Sequence, residues 1–139
     1  RFNLEKRLVT RELQVEDLPD AWREESKALL GLVPKKDSDG VLQDIHWAMG
    51  AIGYFPTYAL GNLYGAQFYE VMQRDLENFD GLVAHGEFSP IREWMRENIH
   101  RHGAAKTPSE LLSDVCGAEL DAQPFIDYLR DKYSRLLDI

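Results

Sequence analysis

The chain has 139 residues, 44% of them hydrophobic and 11% aromatic, which suffices for one compact core and leaves little room for two independent domains. With 24 Asp and Glu against 16 Lys and Arg, the net charge of -8 disfavours nucleic-acid phosphate or an anionic bilayer as partner. A single cysteine, Cys116, excludes an internal disulfide and a CxxC metal knuckle. It suits a reducing, cytoplasmic setting and reads as a small buried apolar residue.

The first residues, Arg1-Phe2-Asn3-Leu4-Glu5-Lys6-Arg7, interleave charges and lack the apolar run of a signal peptide. Over residues 1–13, Leu4 and Leu8 with Val9 beside them predict an amphipathic helix, with Glu5, Lys6, Arg7, Arg11 and Glu12 as its charged positions. No capping residue precedes it, as expected of a segment of a longer chain. Asp17-Leu18-Pro19-Asp20 turns into a second helix, capped by Asp17 or Asp20, whose apolar surface is Trp22, Ala28, Leu29 and Leu30 and whose stop is Gly31. Pro34 to Gly40 is a polar loop of turn formers.

From Ile45 to Tyr69 no Asp, Glu, Lys or Arg occurs, although 29% of the chain is charged, and the stretch gathers seven aromatic residues. His46, Pro56, Asn62 and Gln67, with helix-breaking Gly50 and Gly53, argue against a membrane span. A turn region followed by a helix from about Phe55 to Leu76 is expected, with Pro56 in the first turn. Ser89-Pro90 opens another helix whose inner face is Ile91, Trp94, Met95 and Ile99. Thr107-Pro108-Ser109-Glu110 spells a capping box, and Gly117 a stop. A last helix, introduced by Asp121, carries Phe125, Tyr128, Leu129, Tyr133 and Leu136 as its apolar stripe. No alternating segment competes, so the chain is expected to be all-α with roughly six helices, a single helical segment over 1–139.

Gln43, Asp44, His46 and Trp47 put an amide, a carboxylate, an imidazole and an indole at the mouth of the uncharged stretch. A carboxylate beside a histidine fixes its tautomer and raises its basicity, which suits a general base, a proton donor or an anion-binding imidazolium. On a regular helix Asp44 and His46 would point apart, so their pairing requires a turn or an extended backbone. The competing reading is structural, with Asp44 as a cap and Trp47 as core. Tyr54 and Tyr58, four apart, can likewise line a pocket with their hydroxyls or serve as core. Gly61 and Gly65 read as a close approach between helices, and Asn62 and Gln67 need hydrogen-bond partners if buried. The histidines His46, His85, His100 and His102 show no zinc-binding spacing, and no phosphate loop or nucleophile elbow is present.

Gly40-Val-Leu-Gln-Asp-Ile-His-Trp matches the pattern GxxQDxHW at every specified position, and Gly53-Tyr-Phe-Pro-Thr-Tyr-Ala-Leu-Gly-Asn-Leu-Tyr follows closely. Together they resemble the C-terminal portion of the thermostable zinc carboxypeptidase family, carboxypeptidase Taq. Weaker likeness extends to Asp17-Leu18-Pro19 before Trp22 and to Phe125-Ile-Asp-Tyr-Leu-Arg-Asp-Lys-Tyr. The resemblance implies a helical, cleft-bearing, homodimeric metallocarboxypeptidase acting on peptide C-termini. Its zinc would be held by an HExxH helix and a later Glu, all in the missing N-terminal part of the chain. Carried over, Gln43, Asp44, His46 and Trp47 would line the cleft, His46 contacting the substrate carboxylate or the tetrahedral oxyanion. Tyr54 or Tyr58 would donate a hydrogen bond to that oxyanion. From a different class, the uncharged aromatic stretch would instead make the chain a non-catalytic interaction or dimerisation module. A self-contained acid/base enzyme using Asp44 and His46 lacks a nucleophile, cofactor loop or metal.

Overall fold

Local signals set where the helices start and stop in the computed structural model, which describes residues 1–138. Seven α-helices follow one another, with no strand among the described residues: α1 (Phe2–Val9), α2 (Leu18–Leu30), α3 (Pro56–Asp75), α4 (Phe79–Ala84), α5 (Phe88–Asn98), α6 (Pro108–Cys116) and α7 (Gln123–Leu137). The all-α expectation holds, and the helix beyond the expected six is α4. Its sequence, Phe-Asp-Gly-Leu-Val-Ala, has a glycine inside it and no side-chain cap, so neither propensity nor capping announces it.

α2 ends where Gly31 enters the left-handed region at φ +69°, its amide bonding to Lys27 O. Asp17 occupies the cap position of α2 without a side-chain cap bond. α3 opens with Pro56, whose missing N–H costs nothing in a first turn. In α6 the capping box forms in full: the Glu110 amide donates to Thr107 Oγ1 at 3.3 Å and the Thr107 amide to Glu110 Oε2 at 2.7 Å. Gly117 stops α6 at φ +66°. Two starts differ from expectation. α5 begins at Phe88 with Glu87 at its cap, because the turn before Ser89 is already helical. α7 has Ala122 at its cap, while Asp121 Oδ1, one residue earlier, accepts the Gln123 amide at 2.9 Å.

The chain divides into two compact units, Arg1–Ala59 and Leu60–Ile139. In the first, Leu4, Leu13, Leu18, Ala21 and Val41 form the core, with Leu8, Trp22 and Trp47 against it. Glu5 does not take the exposed position its charge suggests; it is 5% exposed, for reasons given with the site below. Ala28, Leu29 and Leu30 are exposed, because the core of this unit does not extend along the last turn of α2. Gly40 is packed so closely that an added Cβ would lie 3.0 Å from Pro34 Cβ.

In the second unit Val71, Met72, Phe79 and Trp94 form the core, joined by Ile91, Met95 and Ile99 as the α5 pattern predicts. The Trp94 indole donates to Asp75 Oδ2 at 3.0 Å. Cys116 packs on the same cluster, and burial pushes its thiol pKa up. Gln67 is buried and both ends of its amide are used: Nε2 donates to Glu119 O at 3.1 Å and Oε1 accepts the Asp121 amide at 3.0 Å. Asn62 is exposed and meets no such demand. Gly61 and Gly65 admit no neighbouring helix, since nothing lies within 4 Å of a Cβ built on either. They border an open groove of ≈ 360 Å³ shared with Tyr69, Phe125 and Tyr128. The α7 stripe is correspondingly incomplete: Phe125 and Leu129 are half-buried while Tyr128, Tyr133 and Leu136 are exposed.

Candidate functional site

Between Val41 and Pro56 the backbone forms short turns rather than a long helix, and this sets the site. A 3₁₀ turn at Val41–Gln43 ends at Asp44, whose backbone is extended at φ -89° and ψ 126°. Asp44 Oδ1 then accepts the His46 amide at 2.8 Å, which turns the chain so that carboxylate and imidazole fall together. This is the non-helical pairing that the two-residue spacing required. The chain curls further as the Ala51 amide bonds His46 O at 2.8 Å, and Gly50 and Gly53 take the left-handed conformation at φ +73° and +80°.

His46 sits inside an aromatic cluster. Its ring stacks on Tyr54 at 5.5 Å and 22°, tilts over Phe55 at 5.1 Å, and meets Tyr58 edge-on at 6.0 Å. His46 Nε2 and the Tyr58 hydroxyl are hydrogen-bonded at 3.1 Å. On its other side His46 Nδ1 lies 3.4 Å from Asp44 Oδ2, and the Asp44 side chain is fully buried. The carboxylate favours a proton on Nδ1, so Nε2 accepts from the Tyr58 O–H when the imidazole is neutral and donates to the Tyr58 oxygen when it is charged. Loss of water around the Tyr58 hydroxyl and the neighbouring Tyr54 phenol raise the Tyr58 pKa above the usual phenol value, so it stays protonated at neutral pH. Arg1 Nη1 lies 3.1 Å from Asp44 Oδ2, and its guanidinium sits over Trp22 and Phe55 at 5.7 Å from each ring centre. Neither Asp44 Oδ2 nor His46 Nδ1 has an aligned hydrogen bond among the described residues.

Of the residues singled out from sequence, Asp44, His46, Tyr54 and Tyr58 come together. Trp47 is adjacent but faces inward, edge-on to Trp22 at 6.3 Å and to Phe55 at 5.7 Å. Gln43 is turned away, its amide donating to Ser38 O. Sequence reasoning missed Arg1, Phe55 and Glu5. Glu5 is buried because its carboxylate accepts the Trp47 indole N–H at Oε2 and the Gly53 amide at Oε1, each at 2.8 Å. No short-range pattern signals partners 42 and 48 residues away. Among the described residues no three His, Cys, Asp or Glu side chains gather as a metal ion requires, so the residues present do not fit a metal centre.

The family model for the carboxypeptidase Taq (M32) metallopeptidases matches residues 1–133. Carboxypeptidase 1 of Bacillus subtilis is 46% identical over 136 residues, which is 98% of this chain and 27% of that protein. Thermostable carboxypeptidase 1 of Pyrococcus furiosus is 47% identical over 133 residues, again 27% of its length. The solved structure of the M32 carboxypeptidase of Deinococcus radiodurans superimposes with a TM-score of 0.95 at 40% identity, covering 99% of this chain and 28% of that one. The chain thus spans about a quarter of the length of the curated relatives it matches.

Proposed function

Because the chain belongs to the carboxypeptidase Taq (M32) metallopeptidase family, we propose that it is the C-terminal part of a zinc metallocarboxypeptidase that removes C-terminal residues from peptides. The observation that carries this reading is the cluster of Asp44, His46 and Tyr58, in which a buried carboxylate backs an imidazole bonded to a phenol. His46, backed by Asp44, offers a proton or a positive charge to the substrate carboxylate or to the oxyanion of the attacked peptide bond. Of the two tyrosines, the hydrogen bond to Nε2 favours Tyr58 as the donor aligned with it, and Tyr54 as the ring that fixes the imidazole plane. Trp47 braces this cluster from its inner side through Phe55, and Gln43 stays bonded to Ser38 O. Zinc and the residues that hold it belong, in this reading, to the remainder of the protein. The single cysteine supports a cytoplasmic setting, and the family resemblance a homodimer.

The decisive test compares the full-length protein, its His46→Ala variant and purified 1–139 in metal-supplemented assays of C-terminal residue release. The full-length protein is expected to be active, the variant to lose at least about a hundredfold in kcat/KM with its metal content intact, and 1–139 to release nothing. A His46→Ala enzyme of undiminished activity would remove His46 from the site, and hydrolysis by 1–139 would contradict the reading of the chain as a part. A second reading rests on Leu42, Ile45, Met49 and Ile52, which are exposed by 57% or more: an apolar surface of a non-catalytic interaction or dimerisation module. A full-length protein that is inactive yet associates through these residues would establish it.

A further inference from the structure

Glu5 is a carboxylate in a place that ordinarily rejects one. It is 5% exposed, and its hydrogen bonds come from two neutral donors, the Trp47 indole and the Gly53 amide. Burial of an acid in this way is costly and adds little stability that an apolar residue would not supply. What a carboxylate supplies here is geometry: two acceptor oxygens fixed a short distance apart and aimed at two different segments. Those segments are not arbitrary. Trp47 directly follows His46, Gly53 directly precedes Tyr54, and His46 and Tyr54 are the two rings that stack at 5.5 Å. One carboxylate on α1 therefore holds both ends of the turn that carries the stacked pair. Phe55, 8% exposed, lies against His46 and Trp47 alike and transmits the same constraint through packing.

We infer that Glu5 is a positioning residue for the peptidase chemistry, clamping Trp47 and Gly53 so that His46 Nε2 stays aligned with the Tyr58 hydroxyl. The inference rests on the function proposed above, and it concerns a residue that touches neither substrate nor the reacting atoms. A catalytic group displaced by about 1 Å loses up to about a hundredfold in rate, so a clamp of this kind governs kcat more than KM.

The experiment uses the full-length, metal-loaded protein with ¹⁵N in its tryptophan indoles and histidine imidazoles, and compares Glu5→Gln, Glu5→Ala and, as control, Gln67→Ala. Gln67 is equally buried, makes two hydrogen bonds of its own and belongs to the second unit. Glu5→Gln keeps one acceptor and turns an N–H toward the other donor, so it separates loss of alignment from loss of volume. The expected result is a fall in kcat of about tenfold or more for Glu5→Gln and a larger fall for Glu5→Ala, with KM within about threefold of the parent. The Trp47 indole and His46 imidazole resonances should move in both, and Gln67→Ala should lose melting temperature without losing kcat. Wild-type kcat in Glu5→Gln, or a loss no larger than that of Gln67→Ala at equal destabilisation, would overturn the inference. If the parent itself releases no C-terminal residue, the peptidase reading fails and the resonances decide alone: shifted Trp47 and His46 signals uphold the clamp, unshifted ones end it.

Discussion

Tyr54 and Tyr58 both contact His46, yet they do so through different physics. Tyr54 offers a ring face at 22° to the imidazole, a contact that phenylalanine reproduces, whereas Tyr58 offers its hydroxyl to Nε2 at 3.1 Å, which phenylalanine cannot. On the proposed peptidase function, Tyr58→Phe is therefore expected to lower kcat of the full-length protein by roughly a hundredfold, the scale of one lost oxyanion donor, and Tyr54→Phe by less than about threefold. Steady-state kinetics of the two variants at equal metal content checks this, and equal losses would assign both hydroxyls to the reaction. At this scale the sequence was informative about which residues meet and silent about how. Asp44 and His46 sit two apart, so their pairing required a turn, and an Asx turn provides it. Glu5 looked like one more charged position of an amphipathic helix, because nothing in eight residues of α1 records an indole and an amide more than forty positions away.

Helix ends were the most legible elements, since their chemistry is confined to a few neighbours. Gly31 and Gly117 stop α2 and α6 in the left-handed region, and Thr107 with Glu110 forms the reciprocal cap that the spelling announced. The Thr107 backbone amide, followed by its hydroxyl, lowers the Glu110 pKa below its reference value of 4.5. A carboxyl whose pKa is lower folded than unfolded stabilises the fold above its unfolded pKa, and that contribution disappears as pH falls through the folded value. The first turn of α6 is thus expected to lose hydrogen-exchange protection as pH drops below about 4.5, and Glu110→Gln is expected to flatten that dependence. An unchanged pH profile in the variant would remove Glu110 from the cap. Less legible were elements defined by what covers them. Leu29 and Leu30 continue the apolar face of α2 beyond its core, and Tyr133 and Leu136 do the same for α7, because periodicity records a face without saying where its cover ends.

Across the whole chain, the cores of the two units rest on few residues. Leu4 at 2% exposure and Leu112 at 1% are the most deeply buried large side chains, and each is expected to cost about 2–5 kcal/mol on substitution by alanine. Phe2, 53% exposed and on the same helix as Leu4, should change stability by less than about 1 kcal/mol, and urea unfolding of the three variants separates them. A further exchange shows how little a size-based view of the interior explains. The amide of Gln67 reads two backbone groups at once, giving a proton to the carbonyl of Glu119 and taking one from the amide of Asp121. Glutamate has the same outline and comparable helix propensity, and one nucleotide in the codon separates the two. It could still take the proton from Asp121, but it would set a negative oxygen against the Glu119 carbonyl. The segment between α6 and α7 is therefore vulnerable to a genetic change that alters neither volume nor shape, and that no inspection of packing would flag.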